Sequence, residues 1–218
     1  MKPFRPILMR ALCVAALAFA AAAAAGCAST PMPVLPVAET SGAHPDLRRY
    51  DDEWFDAARV GRVDILQALV AAGYPIDATT RDGYTAVILA AYRHQPDALE
   101  YLLRAGANAC IGDQHGNTAL MGVIFKGDTV LAERLIKTRC PIDEANKAGE
   151  TALSFAALFG RVDLVPQLVA RGAHLEHVDT LGRTALQIAV QQGNAATVAA
   201  LENVGAQHVP GQALYNHP

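Results

Sequence analysis

From Gly83 to Gly182 a glycine returns every 33 residues with a threonine two places on: Gly83 and Thr85, Gly116 and Thr118, Gly149 and Thr151, Gly182 and Thr184. A second marker keeps that spacing. Gly61, His94, Gly127, Gly160 and Gly193 each precede a segment of helical pattern, so the repeat runs from about Trp54 to Ala206. A unit this short cannot bury its apolar face alone, and a sustained period commits the chain to stacking each copy on the next. The composition suits helices: 52% hydrophobic, 6% aromatic, with alanine frequent.

A 33-residue period with a Gly-x-Thr turn, an Ala-rich helix, a second Leu/Val helix and a closing Gly-Ala resembles the ankyrin repeat. The resemblance implies an all-α solenoid of about five helix-turn-helix repeats joined by short hairpin turns. The family pattern continues Thr-Pro-Leu-His, whereas this chain has TAVI at 85, TALM at 118, TALS at 151 and TALQ at 184. The hydrogen bonds that the histidine supplies between repeats in the family must therefore come from elsewhere, or packing must carry more.

Repeat one keeps the second helix, with Val63, Ile65, Leu66, Leu69 and Val70 spaced for one buried face. It lacks the Gly-x-Thr turn and reads as a capping repeat with Trp54 and Phe55 in the core, after a polar stretch from Asp46 to Glu53. In repeats two to five the threonine is placed to cap the first helix, and the pairs Ala90-Ala91 and Ala156-Ala157 let two helices approach closely. Repeat three departs twice: Gly122 lies within its first helix, and Arg139 stands where Gly73, Gly106 and Gly172 close the other repeats. Each departure costs stability. Repeat three is the expected weak unit, unless a partner stabilises it. Pro96 suits a first helical turn, whereas Pro166 falls about a turn deep and predicts a distorted start.

Four segments follow. Residues 1–26, with Lys2, Arg5 and Arg10 ahead of an apolar run from Ala11 to Ala25, read as an export signal. The run is short of the ~20 residues that span a bilayer. Ala24-Ala25-Gly26-Cys27 resembles a bacterial lipobox, which implies removal of the signal and lipid attachment at Cys27, although the first position is usually leucine. Ala28 after the cysteine implies, by the same resemblance, an outer-membrane lipoprotein facing the periplasm. The alternative is an ordinary signal peptide and a soluble periplasmic protein. Residues 27–45, with four prolines, form a tether; residues 46–206 are the repeat domain, and 207–218 a tail. Cys110 and Cys140 remain in the domain. Helices ~8–10 Å apart hold cysteines beyond disulfide reach, which predicts two free thiols.

Removing the three basic residues of the signal leaves 15 against 21 acidic, a net charge of −6. An acidic domain without a basic stripe argues against nucleic acid. No catalytic constellation, cofactor motif or metal set emerges. His174-Leu-Glu-His177 would place its histidines on opposite faces of an extended connector, and Ser154 has no histidine or aspartate beside it. The expectation is a monomeric, non-enzymatic module that binds a protein. In the family, partners are mostly held on the concave side, by turn tips and by two positions after the alanine pair. Carried over, this points to Arg81, Asp82, Tyr84, Tyr92 and Arg93 in repeat two, and Gln114, His115, Asn117, Phe125 and Lys126 in repeat three. It adds Lys147, Glu150, Leu158 and Phe159 in repeat four, and Leu181 and Arg183 in repeat five. Tyr92, Phe125 and Leu158 should form one column and Arg93, Lys126 and Phe159 the next. The alternative buries Phe125 and Phe159 as core. The rival function is an envelope spacer.

Overall fold

The computed structural model describes residues 47–207. The signal, the tether and most of the tail lie outside these residues. A 3-10 turn, Leu47–Tyr50, leads into five helix pairs. The first helices are α1 (Asp51–Val60), α3 (Ala86–Tyr92), α5 (Ala119–Lys126), α7 (Ala152–Leu158) and α9 (Ala185–Gln191). The second are α2 (Val63–Ala71), α4 (Pro96–Arg104), α6 (Thr129–Ile136), α8 (Val165–Ala170) and α10 (Ala195–Asn203). Each first helix packs on the first helix of the next repeat and on its own second helix. This is the predicted all-α solenoid.

Threonine starts the first helices as the register requires. The hydroxyls of Thr85, Thr118, Thr151 and Thr184 accept from the backbone N–H three residues on, and Gln187 completes a reciprocal capping box with Thr184. The alanines of the pairs are buried, leaving room for neighbouring backbones. Trp54 is fully buried and its ring lies 4.8 Å from that of Tyr74, whose hydroxyl donates to Asp51 at 2.5 Å. Burial, then the Asp51 carboxylate, pushes the Tyr74 phenol far above its ordinary pKa. The sole tryptophan is core. At Pro166 the expected distortion takes the form of a 3-10 turn, Val162–Leu164, after which α8 starts with the proline in its first turn.

Two expectations for repeat three are corrected. In the other repeats the closing glycine donates to the carbonyl three residues back and the next residue to the one five back, as Gly106 does to Leu103 and Ala107 to Leu102. Arg139 was expected to suffer in a left-handed conformation, but His94 is the only non-glycine with positive φ among the described residues. Instead α6 stops at Ile136, and the Thr138 N–H and hydroxyl both donate to the Leu135 carbonyl at 3.0 and 2.6 Å. The carbonyls of Ile136 and Thr138 are taken by the Arg171 guanidinium of repeat four, at 3.2 and 3.0 Å.

Cys110 and Cys140 form a disulfide rather than two free thiols. The expectation failed because it placed Cys140 at the end of a helix. That cysteine lies four residues past Ile136, in a connector, and adjacent connectors bring the two Cα atoms to 5.2 Å, within ordinary disulfide reach.

Candidate protein-binding face

The turn tips are built by one device used four times. Thr80, Asp113, Asn146 and Asp179 donate their backbone N–H to the carbonyl four residues on, and a glycine at φ between 73° and 81° donates back to each of them. Their side-chain oxygens hold the turn from within: Asp113 Oδ1 accepts from His115 and Asn117, Asn146 Oδ1 from Ala148 and Glu150, Asp179 Oδ1 from Leu181 and Arg183. This is the Asx turn.

The tips then bond in series. The N–H groups of Gln114, Lys147 and Thr180 donate to the carbonyls of Asp82, His115 and Ala148 at 2.8–2.9 Å. These contacts link neighbouring repeats without the family's histidine. They also explain the glycines, since a Cβ on Gly83 would lie 2.6 Å from the Gln114 nitrogen and one on Gly149 2.9 Å from that of Thr180. At the last tip the Arg183 guanidinium pairs with Asp179 at 2.6 Å. Burial raises the Asp179 pKa, but Arg183 and the two turn N–H groups outweigh it and hold the carboxyl below its ordinary range.

Beside the tips, the C-terminal ends of α3, α5 and α7 carry a continuous aromatic row. Tyr92 and Phe125 lie parallel with centroids 6.4 Å apart, and Phe159 meets Phe125 edge-on at 5.0 Å and Phe155 at 5.7 Å. Lys126 Nζ lies 5.1 Å from the Tyr92 centroid. Tyr92 is 40% and Phe125 44% exposed, too open for core. Gly122 lies beside the row, the Tyr92 ring being 3.6 Å from where a Cβ would stand, an ordinary contact distance. Arg161 anchors the base, donating to the carbonyls of Ile124 and Phe125 at 2.8 Å each.

Of the residues singled out from sequence, Arg81, Asp82, Arg93, Gln114, His115, Lys126, Lys147 and Leu181 are exposed, and Tyr84, Asn117, Glu150, Phe159 and Arg183 are half-buried. Leu158 departs from its expected column: it is half-buried against the core, and Phe159 takes its place beside Phe125. Phe155 joins the row unannounced. Its equivalents at the 33-residue spacing are Leu89, Gly122 and Ile188, so periodicity marks it as a helix-interior position with no aromatic neighbour to join. The two histidines of 174–177 take separate partners, His174 the Asp143 carboxylate and His177 the Gly149 carbonyl.

Helix pairs stacked in one line, with side chains displayed from tips and inner helix ends, define a repeat protein that presents a surface rather than a pocket. The family model described as ankyrin repeats, three copies, matches residues 54–137 and 120–209, and the chain belongs to that family. Its members are typically protein-interaction modules without a reaction of their own. No curated protein matches the sequence.

Proposed function

We propose that this protein is an exported, lipid-anchored binding module that grips a protein partner through the tips and inner helix ends of repeats two to four. The aromatic row carries the reading: rings in contact across three repeats, with Tyr92 and Phe125 exposed beside Arg93 and Lys126, have the composition of an interface centre. Export is supported by the 1–26 leader and by the Cys110–Cys140 disulfide, a bond that persists in oxidising compartments. Cys27 takes the lipid, and the domain faces the periplasm at the end of its tether. The partner is a periplasmic enzyme that the module assists or a toxin that it neutralises.

Comparative affinity capture from the envelope tests the reading, using the full chain beside its Phe125→Asp, Phe159→Asp variant with equal melting checked first. A protein retained by the wild type and released by the variant supports it. The same proteins held by both would favour the rival, a spacer whose surface is indifferent.

A further inference from the structure

We propose that this face takes an acidic, extended segment of a partner protein, seating one aromatic or aliphatic side chain on Phe125; the inference rests on the proposed binding role and gives it a chemistry. Cations elsewhere in the domain are mostly committed. Arg48, Arg59, Arg62, Arg134 and Arg183 pair with carboxylates, and Arg161 and Arg171 with backbone carbonyls. Arg81, Arg93, Lys126 and Lys147 differ. All four are exposed on the tip face, and among the described residues none lies within ion-pair distance of a carboxylate. Lys137 and Arg139 are likewise without a carboxylate, but they lie past the end of α6.

The carboxylates on this side are mostly engaged: Asp113 accepts within its own turn, Glu150 from Asn146, Asp179 pairs with Arg183 and Asp128 with His94, which leaves Asp82 as the exposed one against the four cations. The chain as a whole is acidic, with Asp51, Asp52, Glu53 and Asp56 gathered on α1. A positive face repels a second copy of that same face and attracts an acidic segment. Residues 28–46 carry two acidic side chains, Glu39 and Asp46, and residues 208–218 none, so neither stretch has the acidic character proposed for the bound segment. Tips in successive repeats, about 10 Å apart, span roughly 20 Å from Arg81 to Lys147, the length of about six extended residues. Lys126 over the Tyr92 ring, with Phe125 beside it, joins a cation and an apolar seat at the centre of that span.

The test is a random dodecapeptide display selection on the full chain, followed by titration of the enriched peptides. The expected peptides carry an excess of Asp and Glu with at least one large apolar residue, and bind about tenfold more weakly in 500 mM than in 50 mM salt. Arg93→Glu with Lys126→Glu should weaken them at least about tenfold, as should Phe125→Asp, or Phe125→Ala if the former melts early. Neutral or basic peptides that still depend on Phe125 would overturn the acidic partner and leave the binding face standing. Peptides indifferent to both substitutions would overturn both readings. An empty selection would overturn the short-segment proposal, and self-association that screens with salt would name a second copy, through α1, as the occupant instead.

Discussion

Asp179 concentrates the tip design in one residue. Its side chain is 1% exposed, and it holds two backbone N–H groups and the Arg183 guanidinium. Because its folded pKa is depressed, its contribution is present above the ordinary carboxylate pKa of about 4 and is lost as pH falls through the lower folded value. Asn146 fills the same register position and keeps the turn with an amide oxygen. Asp179→Asn should therefore preserve the turn, cost about 1–2 kcal/mol at pH 7 through the lost charged bond, and leave a smaller fall between pH 5 and pH 3. Urea denaturation at the three pH values reads this. Gly122→Ala is expected to act the other way: the helix gains up to about 1 kcal/mol, the new methyl meets Tyr92 at ordinary contact distance, and the midpoint should rise. A fall would show that the Tyr92 ring cannot give way.

Among the elements, repeat three departs from the others in its own residues and is held by its neighbours. A glycine lies within α5 and no glycine closes α6, yet Arg161 and Arg171 reach from repeat four to the carbonyls at the C-terminal ends of both helices. Glu100 and Arg134 tie α4 to α6 at 2.6 Å, and that bond holds the Glu100 carboxyl below its ordinary pKa. The disulfide closes a loop of 30 residues around most of this unit. Cys110→Ser with Cys140→Ser, or reduction, should cost about 2–4 kcal/mol, with the greatest loss of amide protection in α5 and α6. Loss spread evenly over the solenoid would show that repeat three is no weaker than the rest. Arg171→Ala should cost about 1–2 kcal/mol and speed exchange near Thr138 while α9 and α10 stay protected.

For the whole molecule, stacking makes each repeat depend on the one beside it, and the aromatic row spans three of them. Reduction should accordingly weaken partner capture along with stability, because Phe125 belongs to the unit that the disulfide staples. The proposed anchor is separable from folding: Cys27→Ala should abolish incorporation of a labelled fatty acid without changing the melting temperature of the repeat domain. Metabolic labelling beside a thermal melt checks both, and a variant still labelled would rule out Cys27 as the attachment point.

The 33-residue register was enough to determine the fold, because Gly-x-Thr, the alanine pairs and the apolar spacing of the second helices each act locally and agree with one another. It also determined which residues stand at tips and helix ends, among them Tyr92, Phe125 and Lys126. Tertiary structure alone decided what crosses between repeats. Cys110 and Cys140 are three residues out of register, so periodicity could not pair them, and the path of the connectors could. No local pattern marks Arg161 and Arg171, because the carbonyls they hold lie at helix ends 33 to 37 residues upstream. Phe155 packs on the core and also meets Phe159, and Phe159 rather than Leu158 meets Phe125, because side-chain direction at a helix end depends on the packing of the adjacent turn. Local patterns fix a repeat, and the contacts between repeats depend on distances that no single repeat encodes.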